Sequence, residues 1–433
     1  MSTGTSTQRL EAALAAITAA GDEGRHVFTR LHANKARAAA RAADRRAASG
    51  QPLGPLDGRI VSIKDLFDVA GEATTAGSTL LLEAAPAEHD AVVVSRLRAA
   101  GAIIIGKTNM SEFAFSGVGI NPHYGTPGNA LDVTRIPGGS SSGAAVSVAR
   151  GMAEIAIGSD TGGSVRIPSA LNGLVGFKPT QARVPREGAF PLSFTLDAIG
   201  PLCRSVRDAA ATDSVLAGIA DEALPQREVR GLRLGVPRGL LFREADEEVL
   251  AAVEIALAQL AGAGAQVSDE ALDDLLGEPF HLQKRGTLVA AEAAWVHRDW
   301  IDSRPGEYDP IVLGRIRRGQ ALDAPTYAGI QQARAALLPA LDARMPAFDA
   351  LVLPTVPVLA PPIEAVRSEE AFLRINALLL RNPSVFNFFD LPALSLPLPR
   401  GGLAVGLMLV GRRGQDRELL ALGAAVERLL GSP

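Results

Sequence analysis

Two glycine-flanked serines, 24 residues apart, carry the clearest chemical signal in the sequence. Ser140 lies in Pro137-Gly-Gly-Ser-Ser-Ser-Gly143 and Ser164 in Gly158-Ser-Asp-Thr-Gly-Gly-Ser-Val-Arg-Ile-Pro168. The second run follows a strand-like Glu154 to Ile157 and precedes a short helix, so Thr161, Gly162, Gly163 and Ser164 are expected in a turn whose amides point outward. A serine there can attack a carbonyl while the amides of Gly162, Gly163 and Ser164 receive the developing negative charge. Removing one such donor typically costs about 2.7–4 kcal/mol of transition-state stabilisation. Glycine suits this use because a Cβ would block close approach and positive φ. Serine and glycine also serve tight turns and helix caps, so either run alone is ambiguous; the pair points to acyl transfer.

What would activate Ser164 cannot be read from spacing. Histidines number six, and only His89 and His123 lie near these runs. A neutral lysine is an alternative base for serine. Lys64 ends the apolar strand Ile60 to Ile63, where burial would lower its pKa toward neutrality; a solvated charge at a strand end is the plainer reading. Two further motifs compete. Gly101-Ala-Ile-Ile-Ile-Gly-Lys-Thr108 fits the phosphate-loop pattern letter for letter. Its β-branched interior, however, belongs in a strand rather than in a loop with inward amides. Gly139-Ser-Ser-Ser-Gly143 fits the nucleophile elbow with Ser141 at its centre. The histidines that follow, His281 and His297, sit in a segment from His281 to Trp300 that reads as an amphipathic helix, whereas a triad histidine usually occupies a late loop.

The elements that must hold these groups alternate along the chain. Apolar residues, mostly alanine, recur at helical spacing over Leu10 to Ala20 and Phe28 to Ala48. Strands are expected at Arg59 to Lys64, Ala102 to Ile105, Glu154 to Ile157, Leu232 to Val236, Ala350 to Leu353, Ala393 to Leu396 and Ala404 to Val410. Helices are expected at Asp90 to Ala100, Gly143 to Arg150, Asp246 to Gly262, Thr326 to Arg344 and Arg417 to Leu430. This alternation implies an α/β fold, and the lack of repeats or low-complexity linkers favours a single domain over 1–433. The 433 residues, 47% apolar and 21% charged, suffice for a large core. Lys plus Arg number 43 against 47 Asp plus Glu, a net charge of −4 that disfavours nucleic acid as a direct partner. Cys203, the one cysteine, reads as a small buried side chain and excludes an internal disulfide framework. With no leader and no membrane-length apolar run, a soluble, cytoplasmic protein is expected.

Val61-Ser-Ile-Lys-Asp65, Gly106-Lys-Thr-Asn109, Pro137 to Gly143, Gly158 to Pro168 and Gly176-Phe-Lys-Pro-Thr180, in this order and at this spacing, resemble the amidase signature family. Leu196-Asp-Ala-Ile-Gly-Pro201 and Asp390-Leu-Pro-Ala-Leu-Ser-Leu396 extend the likeness. It is dense over a core at 55–215, with 1–50 as an N-terminal helical segment and 216–433 shaping the substrate site. The resemblance implies one α/β/α domain with a central mixed sheet and a Ser–cisSer–Lys triad. Ser164 would be the nucleophile, Ser140 the bridging serine after a cis Gly139-Ser140 bond, and Lys64 the base. Thr161, Gly162, Gly163 and Ser164 would line the oxyanion hole, and Ala114 and Phe115 would lie beside the acyl pocket. Asp160, Arg166 and Ser141 would support the turn from behind, although Arg166 holding a substrate carboxylate is an alternative.

The implied reaction is hydrolysis of a small-molecule carboxamide to release ammonia or an amine, with no cofactor, metal or membrane; a homodimer is left open. Two other functions stay in play. One is the glutaminase subunit of a tRNA-dependent amidotransferase, although Thr180-Gln-Ala-Arg-Val-Pro-Arg186 departs from the Tyr-Gly-Arg-Val-Ser-Arg run of that branch. The other is an elbow-type serine hydrolase centred on Ser141. A non-enzymatic descendant is disfavoured because all three triad positions are filled.

Overall fold

The β-branched runs of the first half are buried at every position, the pattern of strands covered on both faces. In the computed structural model, which describes residues 4–399 and 401–431, they join one mixed sheet of eleven strands. These are β1 (Phe28–Leu31), β2 (Ile60–Lys64), β3 (Ile103–Thr108), β4 (Ile155–Asp160), β5 (Val175–Lys178), β6 (Ala198–Cys203), β7 (Arg233–Val236), β8 (Gln266–Asp269), β9 (Ala350–Pro354), β10 (Ala393–Pro397) and β11 (Gly406–Val410). Their order is β1-β3-β2-β4-β6-β5-β10-β11-β9-β7-β8. β2 runs parallel to both β3 and β4, whereas β6, β5, β10 and β11 join antiparallel ladders. Side chains alternate across the sheet, so Ile60 packs with helices Ser6–Ala19, Ala33–Ala48 and Ser142–Ala149, and Val61 and Ile63 pack with Val92–Ala99 and Val206–Ala217 on the other face. The result is the single α/β domain, with helices flanking a mixed sheet, that the sequence implies.

Some expectations require correction. Phe28 to Leu31 is a strand, not the start of a helix, because it pairs antiparallel with β3 at its edge. The helix expected from His281 to Trp300 is broken: Glu278–Leu282 and Leu288–Val296 are separate, and the Thr287 side chain caps the second by accepting from the Ala290 amide. Strands β5, β6 and β8 and the 20-residue helix Glu369–Phe388, which contains Pro383, carry too little periodic signal to be read in advance. Among the described residues no helix is long and apolar enough to cross a membrane.

Candidate active site

Because β2 and β4 are parallel neighbours, their C-terminal ends open on the same edge of the sheet. Alternation places Ser62 and Lys64 on the face covered by Ser142–Ala149. There Ser62 Oγ shares a 2.9 Å hydrogen bond with Ser147 Oγ. One pleat further, Lys64 Nζ donates to Ser140 Oγ at 2.6 Å and to Ser159 Oγ at 2.9 Å. Lys64 is fully buried, and no ion pair involving it occurs among the described residues. Burial pushes its pKa down to about 7, against the upward pull of the Asp197 and Asp160 carboxylates. The Gly139-Ser140 peptide is cis, as the family resemblance implies.

The turn that follows β4 is tied down from below. Asp160 accepts from the amides of Gly163 at 2.8 Å, Val165 at 3.2 Å and Arg166 at 3.3 Å. Its carboxylate also takes a two-pronged grip from the Arg166 guanidinium, at 2.8 and 3.0 Å. Asn387, on the helix Glu369–Phe388, donates to Asp160 Oδ1 at 2.9 Å and accepts from Arg166 at 2.6 Å. Burial alone would raise the Asp160 carboxyl, but Arg166 and Asn387 outweigh it and hold the group well below the ordinary carboxylate range. Asp160 and Arg166 therefore fix the turn. Arg166 is fully buried and engaged and does not line the cavity, which sets aside the idea that it holds a substrate carboxylate.

Gly163 departs from its expected part. Its φ is +131°, and a Cβ there would lie 2.5 Å from Pro383 Cγ, so only glycine lets this helix approach the turn so closely. Its amide, however, is taken by Asp160; Gly163 shapes the turn rather than donating to an oxyanion. The amides of Thr161, Gly162 and Ser164 donate to no group among the described residues. Thr161 Oγ1 donates to Asp197 at 2.5 Å, and the other Asp197 oxygen accepts from the amides of Leu192 and Ser193, both at 3.0 Å. The register that pairs Asp160 with Ala198 across β4 and β6 brings Asp197 beside Thr161.

In front of the turn opens a cavity of about 290 Å³, walled by Ala114, Phe115, Thr161, Gly162 and Leu380, with Ser164 facing it. Ser164 Oγ makes no hydrogen bond to Ser140.

The competing motifs fall away on geometry. Lys107 of the phosphate-loop pattern lies inside β3, buried and 3.1 Å from the Asp65 carboxylate. Ser141 is fully buried, its hydroxyl directed at the Ser159 carbonyl at 3.4 Å. Neither histidine serves it: His281 bonds Glu278 at 3.1 Å on the surface, and buried His297 bonds Tyr308 at 3.0 Å. Cys203 is buried, and that burial drives its thiol pKa well up.

Four residues at or near this site had no part in the sequence reading: Ser159, Asp197, Asn387 and Arg315. Ser159 and Asp197 lie within the motifs quoted above. Asn387 and Arg315 lie on helices with no local motif.

A family model described as Amidase matches residues 9–420. A 2-amino-5-chloromuconic acid deaminase from Comamonas testosteroni is 38% identical over 92% of this chain and 87% of its own length. A glutamyl-tRNA(Gln) amidotransferase subunit from Anaeromyxobacter sp. (strain K) is 36% identical over 98% of this chain and 93% of its own length. A crystal structure of an amidase superposes with a TM-score of 0.89 at 38% identity, covering 99% of this chain and 97% of that one.

Proposed function

The chain belongs to the amidase family and is a hydrolase of amide C–N bonds, and from that premise we propose that it works through an acyl-enzyme on Ser164, with Ser140 and Lys64 as the proton relay. The observation that carries this reading is a fully buried lysine with no carboxylate partner among the described residues, 2.6 Å from the Ser140 hydroxyl and with its pKa near neutrality. In its neutral form Lys64 donates to Ser159 and offers its lone pair to the Ser140 proton. As Ser164 attacks the amide carbonyl, its proton passes to Ser140 and the Ser140 proton to Lys64. The amides of Thr161, Gly162 and Ser164 then face the tetrahedral oxyanion. Return of the proton to the departing nitrogen breaks the C–N bond. Water, deprotonated by the same relay, hydrolyses the ester and frees Ser164. The name of the Comamonas relative favours ammonia as the leaving group.

Labelling with a fluorophosphonate and mapping the adduct tests this. The adduct is expected on Ser164; an adduct on Ser141, or full activity in Lys64→Ala, would overturn it. The second reading, one chain of a multi-chain amidotransferase, draws on the likeness to the Anaeromyxobacter protein. It requires a partner chain that co-purifies, and little activity of this chain alone.

A further inference from the structure

Lys64 touches two hydroxyls, and they face different spaces. Of the line Lys64, Ser140 and Ser164, only Ser164 meets the cavity described above. Ser159 meets another. Alternation along β4 puts it on the face of Ile157, opposite the helix Ser142–Ala149, in the core that contains Leu66, Leu192 and Ile199. There a second cavity of about 460 Å³ reaches in from the surface, with Ser159 and Asp197 in its lining. Ala182, Glu187, Pro191 and Phe194, which also line it, are exposed. The walls that the two cavities share are Ala114 and Leu192.

Among the described residues Ser159 is the one hydroxyl in that second lining, and it is chemically unspent. Its oxygen accepts from Lys64 Nζ at 2.9 Å, but its own proton goes to no acceptor among the described residues. Lys64 and Ser140 are 0% exposed, whereas Ser159 keeps 6% and Asp197 9%. The charged groups around it are already placed: Asp197 accepts from Thr161 and from the Leu192 and Ser193 amides, and Arg186 donates to the Phe194 carbonyl at 2.8 Å. Solvent therefore comes closest to the buried lysine through Ser159, from the side of the sheet away from Ser140.

The reaction leaves a proton that needs such a way out. Hydrolysis of the acyl-enzyme adds a water hydroxyl to the acyl carbon, breaks the carbon's bond to the Ser164 oxygen and returns a proton to that oxygen, giving a free carboxylic acid. An acid that titrates at about 4 yields its proton to a lysine that titrates at about 7. The carboxylate then stands over Ser164 while Lys64 is left charged, unable to accept from Ser164 again. We propose that Ser159 passes this proton to the second cavity: the Lys64 N–H bond breaks toward the Ser159 oxygen as the Ser159 O–H bond breaks toward water there, which carries the proton to bulk solvent. This rests on Lys64 as the base for Ser164. With the first cavity empty, Lys64 can also exchange through Ser140 and Ser164, so the second route matters when substrate or product fills the first.

Threonine and valine share one shape and differ by a hydroxyl, so Ser159→Thr and Ser159→Val isolate that group. Ammonia release is read on the purified protein with the best substrate from a panel of aliphatic and aryl primary amides. Ser159→Thr is expected to keep kcat within about threefold. Ser159→Val should lose at least about tenfold in kcat, while kcat/KM, which ends with acylation, falls by no more than about threefold. Equal losses in both parameters would mean that Ser159 only positions Lys64 and would overturn the proposal, as would a Ser159→Val protein with the wild-type kcat. Ser159→Cys reads the route itself. With Ser164 capped by a long-chain fluorophosphonate, this variant should still react with methyl methanethiosulfonate about as fast as before capping, whereas the wild type, whose Cys203 is buried, should not react. A thiol that the cap protects, or one that reacts in neither form, would overturn the proposal. The mapped adduct separates the two readings: an adduct away from Ser164 strikes the acyl-enzyme, whereas an adduct on Ser164 with a sealed thiol strikes the proton route alone.

Discussion

Replacing Lys64 by methionine should stabilise the protein while abolishing its activity. A lysine that titrates at about 10.5 in the unfolded chain and about 7 in the fold weakens the fold by about 5 kcal/mol at and below neutral pH, at about 1.4 kcal/mol per pH unit of separation. Methionine fills nearly the same volume without a charge to desolvate. Against that gain, the hydroxyls of Ser140 and Ser159 lose a partner each, at about 1 kcal/mol apiece. The net is a Lys64→Met protein more stable than wild type by about 3 kcal/mol at pH 7.

The pH dependence separates this from a generic packing effect. Between pH 7 and 10.5 the unfolded chain holds the lysine proton and the fold does not, so wild-type stability from this group rises with pH across that window. The advantage of Lys64→Met should therefore shrink by about 1.4 kcal/mol per pH unit and vanish near pH 9. Thermal melts of both proteins at half-unit steps from pH 6.5 to about 9.5 read it directly, with amide hydrolysis assayed in parallel. A Lys64→Met protein that melts below wild type at pH 7, or a difference that stays flat with pH, would refute the claim that Lys64 is a desolvated base.

The same lysine fixes the pH–rate profile: kcat/KM should climb tenfold per pH unit below an apparent pKa near 7. Asp197→Asn removes a carboxylate that favours the charged lysine, so this limb should move to lower pH, while an amide with one oxygen cannot accept from Thr161 and from the Leu192 and Ser193 amides together, which lowers the plateau; a limb that moves the other way contradicts the assignment. Asp160→Ala should lower stability by about 3–5 kcal/mol, because it strands the buried Arg166 charge. Adding Arg166→Met should recover much of that loss, as urea titrations of the single and double variants would show.

Which residues can be read from the chain follows from where their partners lie. Ser140, Ser164 and Lys64 sit in short runs whose glycines and buried strands are themselves local features, and Asp160 with Arg166 is a local capping pair. The part of Gly163 is not legible there, because its amide could serve either Asp160 or an oxyanion. Only the three-dimensional turn, with Asp160 already accepting from Val165 and Arg166, decides between them. The phosphate-loop and elbow patterns fail for the converse reason: their letters match, but Lys107 is locked to Asp65 and Ser141 faces a carbonyl. Ladder partners decide the rest. β1 has the composition of a helix start and becomes a strand because the edge of β3 is open beside it.

Asn387 and Arg315 are illegible for a deeper reason. Each reaches the site from a helix packed across it, far along the chain from Ser164, and nothing in the neighbouring sequence marks it. Asn387 lies on a helix that contains Pro383, and that proline packs close to Gly163. The proposed chemistry thus lies where β2 and β4 end side by side, among buried side chains. The helix Pro310–Gln320 reaches the cavity wall through Arg315 and turns Arg317 and Arg318 outward. A change at Asn387 should disturb the turn that carries Ser164, through the loss of its bonds to Asp160, and impair turnover of every amide alike.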